Sequence, residues 1–310
     1  MKYALYLGCT IPARFNNYDA STRRVCDLLG INLFDIEGWG CCGPVHVRSL
    51  NHDAFVAMGA RNLALAENLG LPVMALCNGC YSSLKETNEI LKEDKELLEK
   101  VNEILKNEDL EFKGTIEVKH LVQVLYNDYG VNKIKEFIQN PFRDLKVAIH
   151  YGCHSIRPSE HAEMGDPENP RIVDELVEVT GAESVSWPLK LMCCGAPVLA
   201  SDENIALNLI KKKLDSVKAS GAECTVQICP FCEVQFETMQ IRVERDFEVE
   251  YGLPALFYPQ LLGLALGISP DLLGFNLNRI PGDLIFSKLK ENTLYGGKSV
   301  YSKNDRRKAQ

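Results

Sequence analysis

The chain has 310 residues, 34 basic against 42 acidic side chains for a net charge of −8, and 46% hydrophobic residues. Such a chain can bury two cores of ordinary size, and its negative balance speaks against nucleic acid, whose phosphates demand clustered Lys and Arg. The start, Met1-Lys2-Tyr3-Ala4-Leu5-Tyr6-Leu7, is too short and strand-like for a signal peptide, and the most apolar stretch, residues 253–268, is interrupted by Tyr258-Pro259-Gln260 and falls short of a membrane span. The expectation is a cytoplasmic protein with no membrane span.

In chain order, residues 2–7 read as a strand ending at Gly8-Cys9, 19–29 as a helix, and 31–36 as a strand leading to Trp39-Gly40-Cys41-Cys42-Gly43-Pro44. A helix is expected over 51–69, a strand over 71–76 ending at Cys77, and one long helix over 82–106 with Leu84, Leu91, Leu98, Val101 and Leu105 on one face. Residues 119–126 and 133–138 read as two further helices, and Asn140-Pro141 breaks the pattern. The scheme then restarts. Lys146-Val147-Ala148-Ile149-His150-Tyr151-Gly152-Cys153 mirrors Lys2 to Cys9, 171–180 reads as a helix, and 183–187 as a strand feeding Cys193-Cys194-Gly195. A helix over 204–219, a strand over 224–228 ending at Cys229, a helix after Cys232 and the segment 256–266 complete the second copy.

Alternating strand and helix predicts an α/β fold of two duplicated Rossmann-like domains, each a small parallel sheet flanked by helices, related by a pseudo-twofold axis. The expected boundaries are 1–143, 144–292 and a basic tail over 293–310. That tail, with Lys298, Lys303, Arg306, Arg307 and Lys308, reads as solvated, with a docking strip as the other reading.

Ten of the twelve cysteines repeat one pattern: Cys9, 31 residues, Cys41-Cys42, 34 residues, Cys77-x-x-Cys80, and then Cys153, 39 residues, Cys193-Cys194, 34 residues, Cys229-x-x-Cys232. Each element falls just past the carboxyl end of a strand, where open α/β sheets bind their ligands, and each Cys-x-x-Cys opens a helix, whose N-terminus favours thiolate charge. Three chemistries compete. Disulfides do not suit a reducing compartment. Structural zinc takes four ligands where each repeat offers five, and an iron–sulfur cluster in each half is the remaining reading. Iron–sulfur ranks first and zinc second. Adjacent cysteines have Cα atoms about 3.8 Å apart and would face opposite ways on a strand, so a common ligand requires a turn, which Gly43 and Gly195 permit.

At these residues the sequence resembles the Cys-Cys-Gly domain family, and from Cys9 to Cys232 it is similar to the B-subunit family of the heterodisulfide reductases of methanogenic archaea. The resemblance implies a noncubane [4Fe–4S] cluster on Cys9, Cys41, Cys42, Cys77 and Cys80, and a second on Cys153, Cys193, Cys194, Cys229 and Cys232. It implies a catalytic oxidoreductase subunit that reduces the CoM-S-S-CoB disulfide, held between the clusters, to coenzyme M and coenzyme B with two electrons. Similar domains occur in iron–sulfur subunits of glycolate, lactate and glycerol-3-phosphate oxidation, which usually carry a ferredoxin-like Cys-x-x-Cys-x-x-Cys run. Here the next position of such a run is Ser83 or Gln235. The implied partners are therefore a separate iron–sulfur electron donor and a flavin subunit (subunits C and A), with a hydrogenase or formate dehydrogenase further out. A different dehydrogenase or disulfide reductase, and a zinc-stabilised scaffold without catalysis, are the alternatives.

Weaker signals surround the cysteines. Gly38-Trp39-Gly40-Cys41-Cys42-Gly43 formally matches a dinucleotide fingerprint, but the second copy lacks the first two glycines and no acidic partner follows. His154, directly after Cys153, is a candidate proton donor to a departing thiolate, or else bonds a cluster sulfur or faces solvent. Arg14, Arg48, Arg157 and Lys190 are candidates to bind anionic substrate groups, the plain alternative being surface charge. His46, His52, His120, His150 and His161 show no ligand spacing and read as structural or surface residues. Cys26 and Cys224 read as small core residues.

Overall fold

The strand segments are short and apolar, and the computed structural model, which describes residues 1–289, pairs them entirely in parallel. β1 (Lys2–Tyr6), β2 (Asn32–Asp35), β3 (Val73–Ala75) and β4 (Val118–His120) form one sheet in the order β2-β1-β3-β4. β5 (Lys146–His150), β6 (Glu183–Ser184), β7 (Cys224–Gln227) and β8 (Ala255–Phe257) form the other in the order β6-β5-β7-β8. Strand for strand the two orders are the same, so the expected duplicated α/β fold is present. Ala4, Leu5, Tyr6, Val73, Met74 and Ala75 are all buried because helices cover both faces of the sheet, which also explains why these strands show no polar alternation.

Three expectations require correction. Residues 119–126 do not begin as a helix: Val118–His120 is the fourth strand, and the helix starts at Leu121 and widens into a π-helical stretch, Val124–Gly130. Residues 256–266 likewise open with β8 before the helix Tyr258–Ala265. Strands of three residues are too short to show a period of two, so the adjoining helical pattern absorbs them. The single helix expected over 82–106 is two, Asn78–Glu93 and Lys95–Leu105. Asp94 leaves the helical region at φ −100°, ψ 97°, and its carboxylate accepts the Leu97 N–H at 2.9 Å as the cap of the second helix.

The halves interlock reciprocally. The helix leading into the second strand of each half packs on the helix after the fourth strand of the other: Asn16–Leu28 on Tyr258–Ala265, and Ile172–Glu178 on Leu121–Gln123. At the first seam the Tyr18 and Phe257 rings stack with centroids 4.0 Å apart, and Phe15 meets Phe257 edge-on. At the second, the Tyr126 hydroxyl donates to Glu175 at 2.7 Å. Both apolar cores draw on both halves: one joins Leu5 and Met74 to Ile149 and Val226, the other Tyr6 and Val73 to Ala148 and Ala255. Among the described residues no helix is long and apolar enough to cross a membrane. The basic tail over 293–310 lies outside the described residues.

Replacing Phe257 with Ala removes the ring on which this seam closes. The variant is expected to lose about 3–5 kcal/mol of stability. Because the cores are shared, chemical denaturation followed by circular dichroism should show one transition; two separate transitions would show halves that fold independently.

Candidate metal centre

The parallel sheets direct all cysteine elements to strand carboxyl ends: Cys9 after β1, Cys41-Cys42 after β2, Cys77 after β3, and Cys153, Cys193-Cys194 and Cys229 after β5, β6 and β7. Cys77 and Cys229 are N-cap residues of the helices that begin at Asn78 and Pro230. Gly8 and Gly152 turn the chain back on itself at φ +65° and +77°. A Cβ on Gly8 would stand 2.7 Å from Cys80 Sγ, and one on Gly152 would stand 2.5 Å from Asn78 Nδ2 and 3.3 Å from Cys232 Sγ. These two glycines therefore let Cys9 and Cys153 close over the Cys-x-x-Cys of the same half. Gly43 and Gly195 also sit at positive φ, giving the turn that adjacent cysteines need to face one point.

The sulfurs converge. Cys194 and Cys232 have Sγ atoms 3.6 Å apart, and the Gly195 N–H donates to Cys193 Sγ at 3.4 Å. The two sets meet where Cys77 Sγ lies 3.9 Å from Cys229 Sγ, and the Asn78 amide ties the halves beside it by donating to the Tyr151 carbonyl at 2.6 Å. All twelve cysteines are unpaired thiols; Cys9 is exposed, Cys41, Cys153 and Cys193 are half-buried, and the remaining motif cysteines are buried. Ionisation is uneven. Thiol hydrogen bonds from Cys41 and Cys80 hold Cys42 down to about 4, and those from Cys153 and Cys194 hold Cys193 well below the usual thiol range. Cys41 and Cys153 are driven up in exchange. Cys229 is likewise held well down by thiol hydrogen bonds from Cys232 and Cys77, while Cys77, Cys80 and Cys232 are driven up. Low and high thiols thus alternate, and full ionisation of a set requires a cation among the sulfurs. A convergent set of five thiols exceeds what one tetrahedral zinc takes up and fits a thiolate-ligated cluster.

The sequence reading missed two residues of the second set. His150, expected to be structural or on the surface, is buried with its Nδ1–H donating to the Lys190 carbonyl at 3.2 Å and its Nε2 without a partner. A ring nitrogen of His150, Cys194 Sγ and Cys232 Sγ lie within 4.8 Å of one another. Burial, reinforced by the charge of Lys213, pushes His150 down to about 3, so the ring is a neutral donor there. Lys213 is fully buried, its ammonium donating to the carbonyls of Met192 at 2.8 Å and of Leu189, and lying 4.5 Å above the Trp187 ring. Burial pushes Lys213 down to about 8. Its sequence signal was legible: Ala206, Leu207, Ile210, Lys213, Leu214 and Val217 form the buried stripe of one helix, and a lysine there is out of place unless something faces it.

The other candidates separate. His154 is half-buried beside Cys153, with no side-chain hydrogen bond among the described residues. Arg14 and Arg157 are exposed shortly after Cys9 and Cys153. Arg48 pairs with Glu86 at 2.8 Å, and the Lys190 ammonium holds both oxygens of buried Asp174, at 2.7 and 2.8 Å. Cys26 and Cys224 lie in the core. His120 is a core residue that accepts the Val122 N–H on Nδ1, and burial pushes it down to about 4.

Fold and site together define a duplicated α/β protein whose two cysteine sets converge at the seam between its halves. The chain belongs to the CCG cysteine-rich domain family, which matches residues 3–85 and 147–237. It is 42% identical to the B subunit of ferredoxin:CoB-CoM heterodisulfide reductase of Methanosarcina mazei, over 94% of this chain and 97% of that one. It is 33% identical to the membrane anchor subunit of the 8-methylmenaquinol:fumarate reductase of Wolinella succinogenes, over 90% and 97%. A crystal structure of a hypothetical protein from Helicobacter pylori shares the fold, with a TM-score of 0.72 at 18% identity, covering 90% of this chain and 52% of that one.

Gly8→Ala places a methyl group against Cys80 Sγ, and Gly152→Ala places one against Asn78, beside Cys77 of the other half, and then against Cys232 Sγ, each in a backbone conformation that L side chains resist. If each set binds metal, Gly8→Ala is expected to empty the first set alone, so that metal per chain, measured by mass spectrometry on anaerobically purified protein, falls by about half, and Gly152→Ala, crowding both sets, is expected to lower it further.

Proposed function

We propose that this chain is the catalytic subunit of a heterodisulfide reductase, reducing the CoM-S-S-CoB disulfide to coenzyme M and coenzyme B. The observation that carries the reading is the meeting of two equivalent five-cysteine sets, one per half, at the 3.9 Å contact of Cys77 with Cys229. Breaking one S–S bond into two thiols takes two electrons and two protons. Two [4Fe–4S] clusters of the noncubane type, one on Cys9, Cys41, Cys42, Cys77 and Cys80 and one on Cys153, Cys193, Cys194, Cys229 and Cys232, would supply one electron each when bound. The near-full-length similarity to the B subunit of a heterodisulfide reductase supports this assignment.

The chain's own residues do the rest. The burial gradient from Cys77 and Cys229 out to Cys9 leaves the wet end of the site at Cys9, Cys41, Cys153 and Cys193. His154 stands at that end with its imidazole free to hold a proton for a product thiolate. Arg14 and Arg157 offer guanidinium groups there to sulfonate, carboxylate or phosphate. Arg48 and Lys190 are engaged by Glu86 and Asp174 and shape the loops beside the cysteines. Electrons would come from a cytoplasmic complex with an iron–sulfur subunit and a flavin subunit, subunits C and A, fed by a hydrogenase or formate dehydrogenase.

A second reading is an electron-carrying iron–sulfur subunit of another reductase, and the similarity to the fumarate reductase subunit favours it. Metal and sulfide analysis of protein purified without oxygen is the first test. About eight iron and about eight acid-labile sulfide per chain are expected. That protein, with a one-electron reductant and the heterodisulfide, should release two thiols per disulfide consumed. A two-cluster protein that releases none belongs to the second reading, and about two zinc without sulfide would make the chain a scaffold.

A further inference from the structure

The duplicated sites differ in electric charge. Lys213 is fully buried, and among the described residues no carboxylate pairs with it; its ammonium meets two carbonyls and the Trp187 ring. A cation withdrawn from water is retained only where negative charge faces it. Its bond to the carbonyl of Met192, the residue before Cys193, sets the ammonium beside the second cysteine set.

The first half carries the counterpart. Arg61 follows Cys42 by 19 positions, as Lys213 follows Cys194. It also ties down a carbonyl of the loop before the cysteine pair, donating to Gly38 at 2.8 Å. The resemblance ends at the charge. Arg61 is 29% exposed, and Glu108 binds its guanidinium at 2.7 Å, so its field at the cysteines is both screened and cancelled. The pair at the matching strand position is neutral on both sides, His150 in the second half and Tyr6 in the first. Among the described residues, Lys213 therefore gives the second site a buried positive charge that the first lacks, in a region of low dielectric where it acts strongly.

We propose that Lys213 sets the order in which the two sites take electrons. Its buried charge raises the reduction potential of the cluster on Cys153, Cys193, Cys194, Cys229 and Cys232 above that of its twin, so the first electron settles in the second half. Lys213 is a positioning residue for charge rather than a catalytic one. The inference rests on clusters occupying both cysteine sets, as in the function proposed above.

The test is a spectroscopic redox titration, with dithionite as reductant, of the full chain carrying Lys213→Gln, Lys213→Met, Lys213→Arg or Arg61→Gln, each first assayed for iron and sulfide. Lys213→Gln keeps donors for the two carbonyls and removes only the charge. In Lys213→Gln and Lys213→Met one of the two couples should fall so that its reduced fraction at a fixed potential drops about tenfold, 59 mV for one electron. The other couple should stay in place, Lys213→Arg should restore the parent value, and Arg61→Gln should move neither couple as far. Unchanged couples in fully loaded Lys213→Gln overturn the inference, as does an equal shift in Arg61→Gln. Either result leaves the two-cluster reading standing, whereas a parent protein without iron and sulfide removes that reading and this inference together.

Discussion

Ten thiols brought to one seam repel one another once ionised, and this electrostatic crowding is the constraint on which the rest of the structure depends. Thiols packed at 3.6–3.9 Å share protons instead, with Cys42, Cys193 and Cys229 pushed down and their neighbours driven up in exchange. An ordinary core has no use for such an arrangement, since small apolar residues would pack there without the cost. The fold spends much of its local geometry on holding it: two positive-φ glycines per half, two helix N-termini opening at Cys77 and Cys229, and an amide link from Asn78 across the seam.

Duplication alone would yield two similar lobes joined by a linker. Here Asn16–Leu28 packs on Tyr258–Ala265 and Ile172–Glu178 on Leu121–Gln123, and each apolar core is built from both sheets. The sets are thereby fixed relative to each other by packed rings such as Tyr18 on Phe257, where a loop connection would let them drift. The disulfide reduction proposed for this chain, needing two electron sources at one bond, would ask for that rigidity.

Much of this was legible in the chain. The cysteine spacings and the strand that runs into Gly-Cys twice over carried the duplication and the parallel sheets. The fourth strand of each sheet was not legible, because Val118–His120 and Ala255–Phe257 are too short to show alternation beside helical sequence. The break at Asp94 hid for a different reason: a capping aspartate amid Glu and Lys looks like one more residue on a wet face. His150 escaped because ligand spacing is a property of local sequence, whereas its nearness to Cys194 and Cys232 is made by β5 lying beside β7. Lys213 was visible as a charge in an apolar stripe, but only the fold shows which groups face it.

The reciprocal seam also bears on how the protein is made. Tyr18 is made well before Phe257 and has no ring to stack on until the fourth strand of the second sheet has followed it. The first half therefore waits on the second with part of its interior open to water and Cys77 uncovered where Cys229 will face it. A fragment holding the first half alone would keep that apolar surface open beside its thiols and be prone to aggregate.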